Sequence, residues 1–208
     1  MRVFLGVTGA SGAPYAARAL SALCAAGCDV GLCVSHSGAH VISHELLGRG
    51  PERPGDPGEV VERFVEAHGS PGQVTLLDLH DMTSPFASGS ARAGGVLVLP
   101  CSGSSLGAIA HGTAANLIHR AADVALKERR PLVLVTRETP LSLIAIENMA
   151  SVTRAGAMVM PASPGFYGLP GGMDDLIDFV VGKALDAIGV SHSLLLRWGE
   201  APVEPAAR

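Results

Sequence analysis

Residues 95–141 read GVLVLPCSGSSLGAIAHGTAANLIHRAADVALKERRPLVLVTRETPL, and no other stretch limits the possible folds so strongly. Two apolar runs, residues 96–100 and 131–135, bracket a long alanine-rich segment of helical character. A continuous apolar run too short for a helix reads as a strand buried on both faces, and two of them joined through helix read as parallel neighbours. Each run ends in polar residues: Cys101-Ser102-Gly103-Ser104-Ser105 after the first, Thr136-Arg137-Glu138-Thr139 after the second. Open α/β sheets bind their ligands at the carboxyl ends of the strands. The first loop offers hydroxyls, a glycine and free N–H groups at a helix start, which suit an anion such as a phosphate. The second offers a fixed cation beside a carboxylate.

The rest of the chain repeats the pattern. Residues 3–7 form a first buried strand that runs into Thr8-Gly9-Ala10-Ser11-Gly12 and a helix over about 14–26. The spacing Gly6-x-x-Gly9-x-x-Gly12 is not the dinucleotide fingerprint, so the turn reads equally as a phosphate approach or as a tight strand-to-helix connection. Residues 29–34 form a second strand ending at Ser35, followed by a helix through Leu47 that carries Glu45 within reach of a ligand at the strand ends. His36, His40 and His44 share one face of that helix, but no Cys or Asp completes a recognisable set, and no metal is expected. Residues 48–58, GRGPERPGDPG, read as an exposed loop, 59–68 as a short amphipathic helix and 74–77 as a short strand. The polar stretch 80–90 is expected to cover a site. Gly112 and Thr113 separate two helices, the second ending at Lys127. A helix over 141–155, a strand over 158–161, a loop holding Tyr167 and a helix over 173–188 bearing Lys183 complete the order. The single tryptophan, Trp198, lies in a tail (about 190–208) expected to fold over the site.

Composition narrows the class. The 208 residues suit one domain, and with 48% apolar but only 4% aromatic residues, small aliphatic side chains must fill the core. A net charge of −4 and the absence of a long basic run exclude nucleic acid as an expected partner. Four irregularly spaced cysteines read as reduced thiols. Neither a secretory signal nor a membrane span is evident, so a cytoplasmic location is expected.

These stretches, TGASGAPY, PCSGSSLGAIAHGTAANLIHRAADVALKERRPLVLVTRETPLS, ENM, PASPGFY and DLIDFVVGKALDAIGV, together resemble the flavin prenyltransferases, the UbiX-like family, over nearly the whole chain. The resemblance implies a flavodoxin-like or Rossmann-like α/β three-layer sandwich with a mainly parallel sheet, assembled as a homododecamer with FMN near subunit contacts. It implies transfer of a dimethylallyl group from dimethylallyl phosphate to N5 and C6 of reduced FMN, the product serving a UbiD-like decarboxylase. Residue by residue, it places FMN on Gly9, Ala10, Ser11, Ser35, Ser102, Gly103, Ser104, Ser105 and Arg137. It places the prenyl phosphate on Tyr167 and Lys183, with Lys127, Arg137 and Glu138 around it, and Glu45 beside the reacting flavin. Met82 stands where many members have a tryptophan, and Trp198 is the aromatic left to line that part of the pocket. Two flavin-based alternatives share the fold, a cysteine decarboxylase and a non-enzymatic FMN carrier. The first typically carries a PxMNxxMW signature, where this chain has PASPGFYGLP.

Overall fold

In the computed structural model, which describes residues 1–50, 52 and 55–195, the apolar runs pair into one sheet. In chain order the elements are β1 (Arg2–Val7), α1 (Ala13–Ala25), β2 (Asp29–Val34), α2 (His36–Glu45), α3 (Pro57–His68) and β3 (Val74–Leu76). There follow β4 (Gly95–Cys101), α4 (Gly103–Ala110), α5 (Leu117–Lys127), β5 (Leu132–Thr136), α6 (Leu143–Ala155), β6 (Met158–Pro161) and α7 (Met173–Ala187). The strand order is β3-β2-β1-β4-β5-β6, and every pair is parallel. From β1 the chain winds outward to β3, then returns to the other side of β1 at β4. The switch point of this doubly wound sheet therefore lies between the carboxyl ends of β1 and β4, where ligands are bound in such folds.

The period of two along the strands sorts side chains into two cores. Val3, Leu5, Val7, Leu97, Leu99, Val133 and Val135 face α1, α3 and α7. Phe4, Val96, Val98, Leu132 and Leu134 face α4, α5 and α6. Three layers result, as expected for an α/β sandwich, and the sheet is wholly rather than mainly parallel.

Local chemistry sets the boundaries. The α3 helix begins at Pro57, two residues before the expected start, because Asp56 accepts from Glu59 N (3.1 Å) and proline suits the first helical turn. Ser142 caps α6 in the same way, so that helix starts two residues late. The described residues 48, 50, 52, 55 and 56 are exposed, as read for this loop.

The 80–90 stretch differs from expectation. Its anchored half does not roof the strand ends. Phe86 is buried edge-on against Phe4 (ring centroids 5.1 Å apart), Arg120 Nε donates to Ala87 O (3.0 Å) and Arg130 donates to Gly89 O (2.5 Å). The segment thus runs down the α5 face of the sheet as the crossover from β3 to β4. The sequence pattern hid this because one buried aromatic anchors an otherwise polar run.

Candidate active site

The two loops at the switch point are locked together by a single threonine. Thr8, 2% exposed, donates from its backbone N and from Oγ1 to Pro100 O (3.2 and 2.8 Å), and its Oγ1 accepts from Ser102 N (2.7 Å). This holds the first turn of α4 at the mouth of the crevice. Ser102 is the N-cap of α4 and accepts from Ser105 N (3.3 Å). The N–H groups of Gly103 and Ser104 precede any carbonyl the helix could offer them, and both residues are exposed. A Cβ added to Gly103 would meet nothing within 4 Å, so this end of α4 opens onto free space. Hydroxyls, free N–H groups and the positive end of the helix dipole converge here on one point, the requirements for a phosphate.

The other helix start at the switch point is already occupied. Glu45, at the end of α2, accepts through one oxygen, Oε2, from Gly12 N (2.9 Å) and Ala13 N (2.8 Å). The end of the glycine turn is therefore held as a tight connection, with the N–H groups of Gly12 and Ala13 taken by Glu45. Gly12 adopts φ 129°, a backbone few other residues enter. A Cβ on Gly9 would meet Ser37 Cβ at 2.5 Å, so glycine lets the turn lie against α2. With the start of α1 taken by a carboxylate, the start of α4 is the one at the β1–β4 switch point left for a phosphate. Ser35 caps α2, accepting from Gly38 N (3.0 Å), and keeps its own hydroxyl hydrogen for another partner.

Arg137 closes the crevice from the far side. It follows β5, yet its Nε donates to Ser11 O (3.3 Å) in the β1–α1 turn. Since β4 lies between β5 and β1, the Arg137 side chain reaches across the carboxyl end of β4 toward the β1–α1 turn. Gly9, Ser11, Ser35, Ser102, Gly103, Ser104, Arg137 and the Glu45 carboxylate therefore share one end of the sheet. Ala10 and Ser105 are buried behind this surface, and Glu138 is exposed beside Arg137. Cys101 is fully packed and burial pushes its thiol up to about 12, which makes it a wall rather than a nucleophile.

Lys127 and Lys183 of the expected set are not gathered here within one protomer. Lys127 ends α5, which returns toward the amino ends of the strands, and its Nζ lies 2.5 Å from Glu128 Oε1. Tyr167 lies on the loop after β6, 66% exposed, with its ring edge-on to Phe179 (5.8 Å between centroids). Lys183 is exposed on α7 one turn beyond Phe179, more than halfway toward Ile188, which packs near Gly95 at the start of β4. Trp198 lies outside the described residues. Met82 is 45% exposed. His36, His40 and His44 are exposed, and His36 faces His80 with ring centroids 6.5 Å apart. Among the described residues no group of three or more His, Cys, Asp or Glu could hold a metal, and no helix is long and apolar enough to cross a membrane. Two functional features were missed in sequence reasoning. The Thr8 clamp joins positions more than ninety residues apart, and the Glu45 bond to α1 has no local signature.

A doubly wound sheet with an anion-binding helix start and a roofing arginine at its switch point defines a nucleotide-binding flavoprotein, and a family model described as Flavoprotein matches residues 1–185. A flavin prenyltransferase UbiX of Halalkalibacterium halodurans is 46% identical over 196 residues, covering 94% of this chain and 92% of its own. The crystal structure of AnUbiX (PadA1) in complex with FMN and dimethylallyl pyrophosphate superimposes with a TM-score of 0.82 at 39% identity, covering 96% of this chain and 98% of that one. A dodecameric FMN-dependent UbiX-like decarboxylase from Escherichia coli O157:H7 has a TM-score of 0.79 at 36% identity, covering 92% and 97%. The chain belongs to the UbiX family of flavin prenyltransferases.

Proposed function

We propose that this protein transfers a dimethylallyl group from dimethylallyl phosphate to reduced FMN held at the β1–β4 switch point, and that the product serves a UbiD-like decarboxylase. The observation that carries this reading is the serine loop under Arg137: an unfilled helix start beside a start already occupied by Glu45. The relatives' FMN and prenyl donor support it. The residues present fit the flavin: Gly103, Ser104 and Ser102 would hold its phosphate, while the turn of Gly9, Ala10 and Ser11, with Ser35, would lie along its body. When bound, reduced FMN would supply the nucleophile: N5 would bond the allylic carbon as its C–O bond breaks and phosphate leaves with the electron pair, and C6 would then bond the far alkene carbon, the alkene gaining a proton and N5 and C6 each losing theirs.

The chain's own groups stabilise that departure. Arg137 is fixed before any ligand arrives, and a cation pre-aimed at developing phosphate charge lowers the barrier without reorganising. Glu45 keeps Oε1 free while Oε2 is tied to α1, so it can hold or move a proton at the strand ends; Glu138 stands beside the leaving phosphate.

Lys127, Lys183 and Tyr167 bind that phosphate from neighbouring copies in a homododecamer. Two features support assembly: Lys127 lies toward the opposite end of the strands from Arg137, and α6 exposes Leu143 (69%), Ile144 (70%) and Ile146 to solvent. Mixed oligomers test this arrangement. Lys127→Ala and Lys183→Ala should each raise KM for the donor while leaving FMN binding intact, and reassembly of the two impaired variants together should restore part of the activity at low donor concentration. No restoration on mixing would place both lysines on one chain's site and overturn this part of the reading.

A further inference from the structure

Behind the serine loop lies a buried histidine that no step above uses. His119, in the first turn of α5, is 9% exposed, and its Nε2 stands 3.3 Å from Ser105 Oγ. Ser105 is 7% exposed, and its Oγ also accepts from Ser102 Oγ (3.2 Å), which in turn lies 3.1 Å from Ser104 Oγ. His119, Ser105, Ser102 and Ser104 thus form one connected file from the core to the open end of α4. The other ring nitrogen of His119, Nδ1, is buried without a hydrogen-bond partner. Such an atom needs an explanation, because an unpaired buried polar group is costly.

Charge and tautomer follow from the surroundings. The ring sits where the first turns of α4 and α5 meet, and two positive helix ends disfavour an imidazolium. Burial holds its pKa below the ordinary 6.5, in the same direction. A neutral ring carries one N–H, and the network assigns it to Nε2: a bare lone pair at Nδ1 is a commoner orphan than a buried N–H. Nε2–H then donates to Ser105 Oγ. In the present arrangement Ser102 spends its own hydrogen on Ser105. A bound phosphate needs that hydrogen turned outward.

We propose that His119 is a positioning residue for the phosphate of FMN: by donating to Ser105 from behind, it keeps that hydroxyl satisfied and releases the Ser102 and Ser104 hydrogens to the anion. The inference rests on the placement of FMN phosphate at the serine loop. It requires donation from one ring atom, and it acts only on a ligand that carries the anion.

Riboflavin, which is FMN without its phosphate, separates positioning from simple structural support. The full chain and its His119→Leu, His119→Gln and Ser105→Ala variants are titrated with FMN and with riboflavin by flavin fluorescence. His119→Leu should weaken FMN about tenfold with riboflavin unchanged. His119→Gln, whose amide can donate from a similar place, should recover most of the loss. Ser105→Ala should match His119→Leu, and the double variant should be no worse than either alone. If His119→Leu does not fold, Ser105→Ala and His119→Gln carry the same comparison. Equal losses for FMN and riboflavin, or an FMN affinity unchanged in His119→Leu, would overturn the proposal. A wild type that itself binds riboflavin as tightly as FMN would instead remove the phosphate from the serine loop, and with it the reading beneath.

Discussion

Single side chains join parts of this sheet that the chain keeps far apart. Thr8 is the clearest case: one hydroxyl both donates to Pro100 O and accepts from Ser102 N. Thr8→Val keeps the shape but strands that N–H, at a cost of about 1–3 kcal/mol, while Thr8→Ser should lose far less. Urea unfolding of the two variants gives the difference, and equal stabilities would show that the clamp contributes nothing. Glu45 answers to a different pair of readouts. Glu45→Gln retains an acceptor for α1 but loses the charge at its N-terminus, so stability should fall by about 1 kcal/mol or less with FMN still bound. Turnover should fall far more; wild-type turnover would confine Glu45 to its capping role. Two histidines are expected to contribute to the acid limb of stability. Burial lowers the pKa of both His68 and His119 from 6.5, so the unfolded chain binds more protons just below that value and stability rises with pH there. Their contribution is complete above about 6.5 and is lost as the pH falls below it. Melting temperatures at pH 7.5 and 5.5 should therefore converge in a His68→Gln, His119→Gln double variant, and an unchanged pH dependence would assign the acid limb to other groups. At this scale the sequence exposed Ser102–Ser105 and Arg137, because polar residues directly after apolar runs stand out locally. The Thr8 clamp and the cap that Glu45 places on α1 did not stand out, since each is created by the winding of the sheet.

Secondary-structure elements were the most legible level. All six strands were read at their observed places, within a residue or two, because runs such as 96–100 and 131–135 are apolar on both faces and end in glycine or hydroxyl residues. Within the 80–90 stretch the second half departs from the expected cover, because Phe86 packs it against Phe4, while His80 stays beside His36 at the strand ends. What an element faces is harder to read than where it lies. The pattern of α6 gives no hint that only Asn148 and Val152 among its residues are buried. That outer surface of Leu143, Ile144 and Ile146 is the place to test assembly. Ile144→Glu puts a charge on it without touching the fold, and light scattering should show a smaller assembly with an intact circular-dichroism spectrum. An unchanged mass would move the subunit contacts elsewhere.

For the molecule as a whole, the proposed function places the flavin at the β1–β4 switch point and completes the donor-phosphate site with residues of neighbouring copies. The resemblance visible in the sequence implies one set of site residues, and the fold separates it: the serine loop and Arg137 stand at the carboxyl ends of the strands, whereas Lys127 ends a helix that returns toward the amino ends. The central claim is that prenyl transfer to flavin takes place here, and mass spectrometry of the flavin after anaerobic incubation with reduced FMN and dimethylallyl phosphate tests it most directly. The account predicts a flavin heavier by one dimethylallyl-derived unit, formed by the wild type and absent with Arg137→Ala. FMN recovered at its original mass from protein that demonstrably binds both FMN and the donor would contradict it.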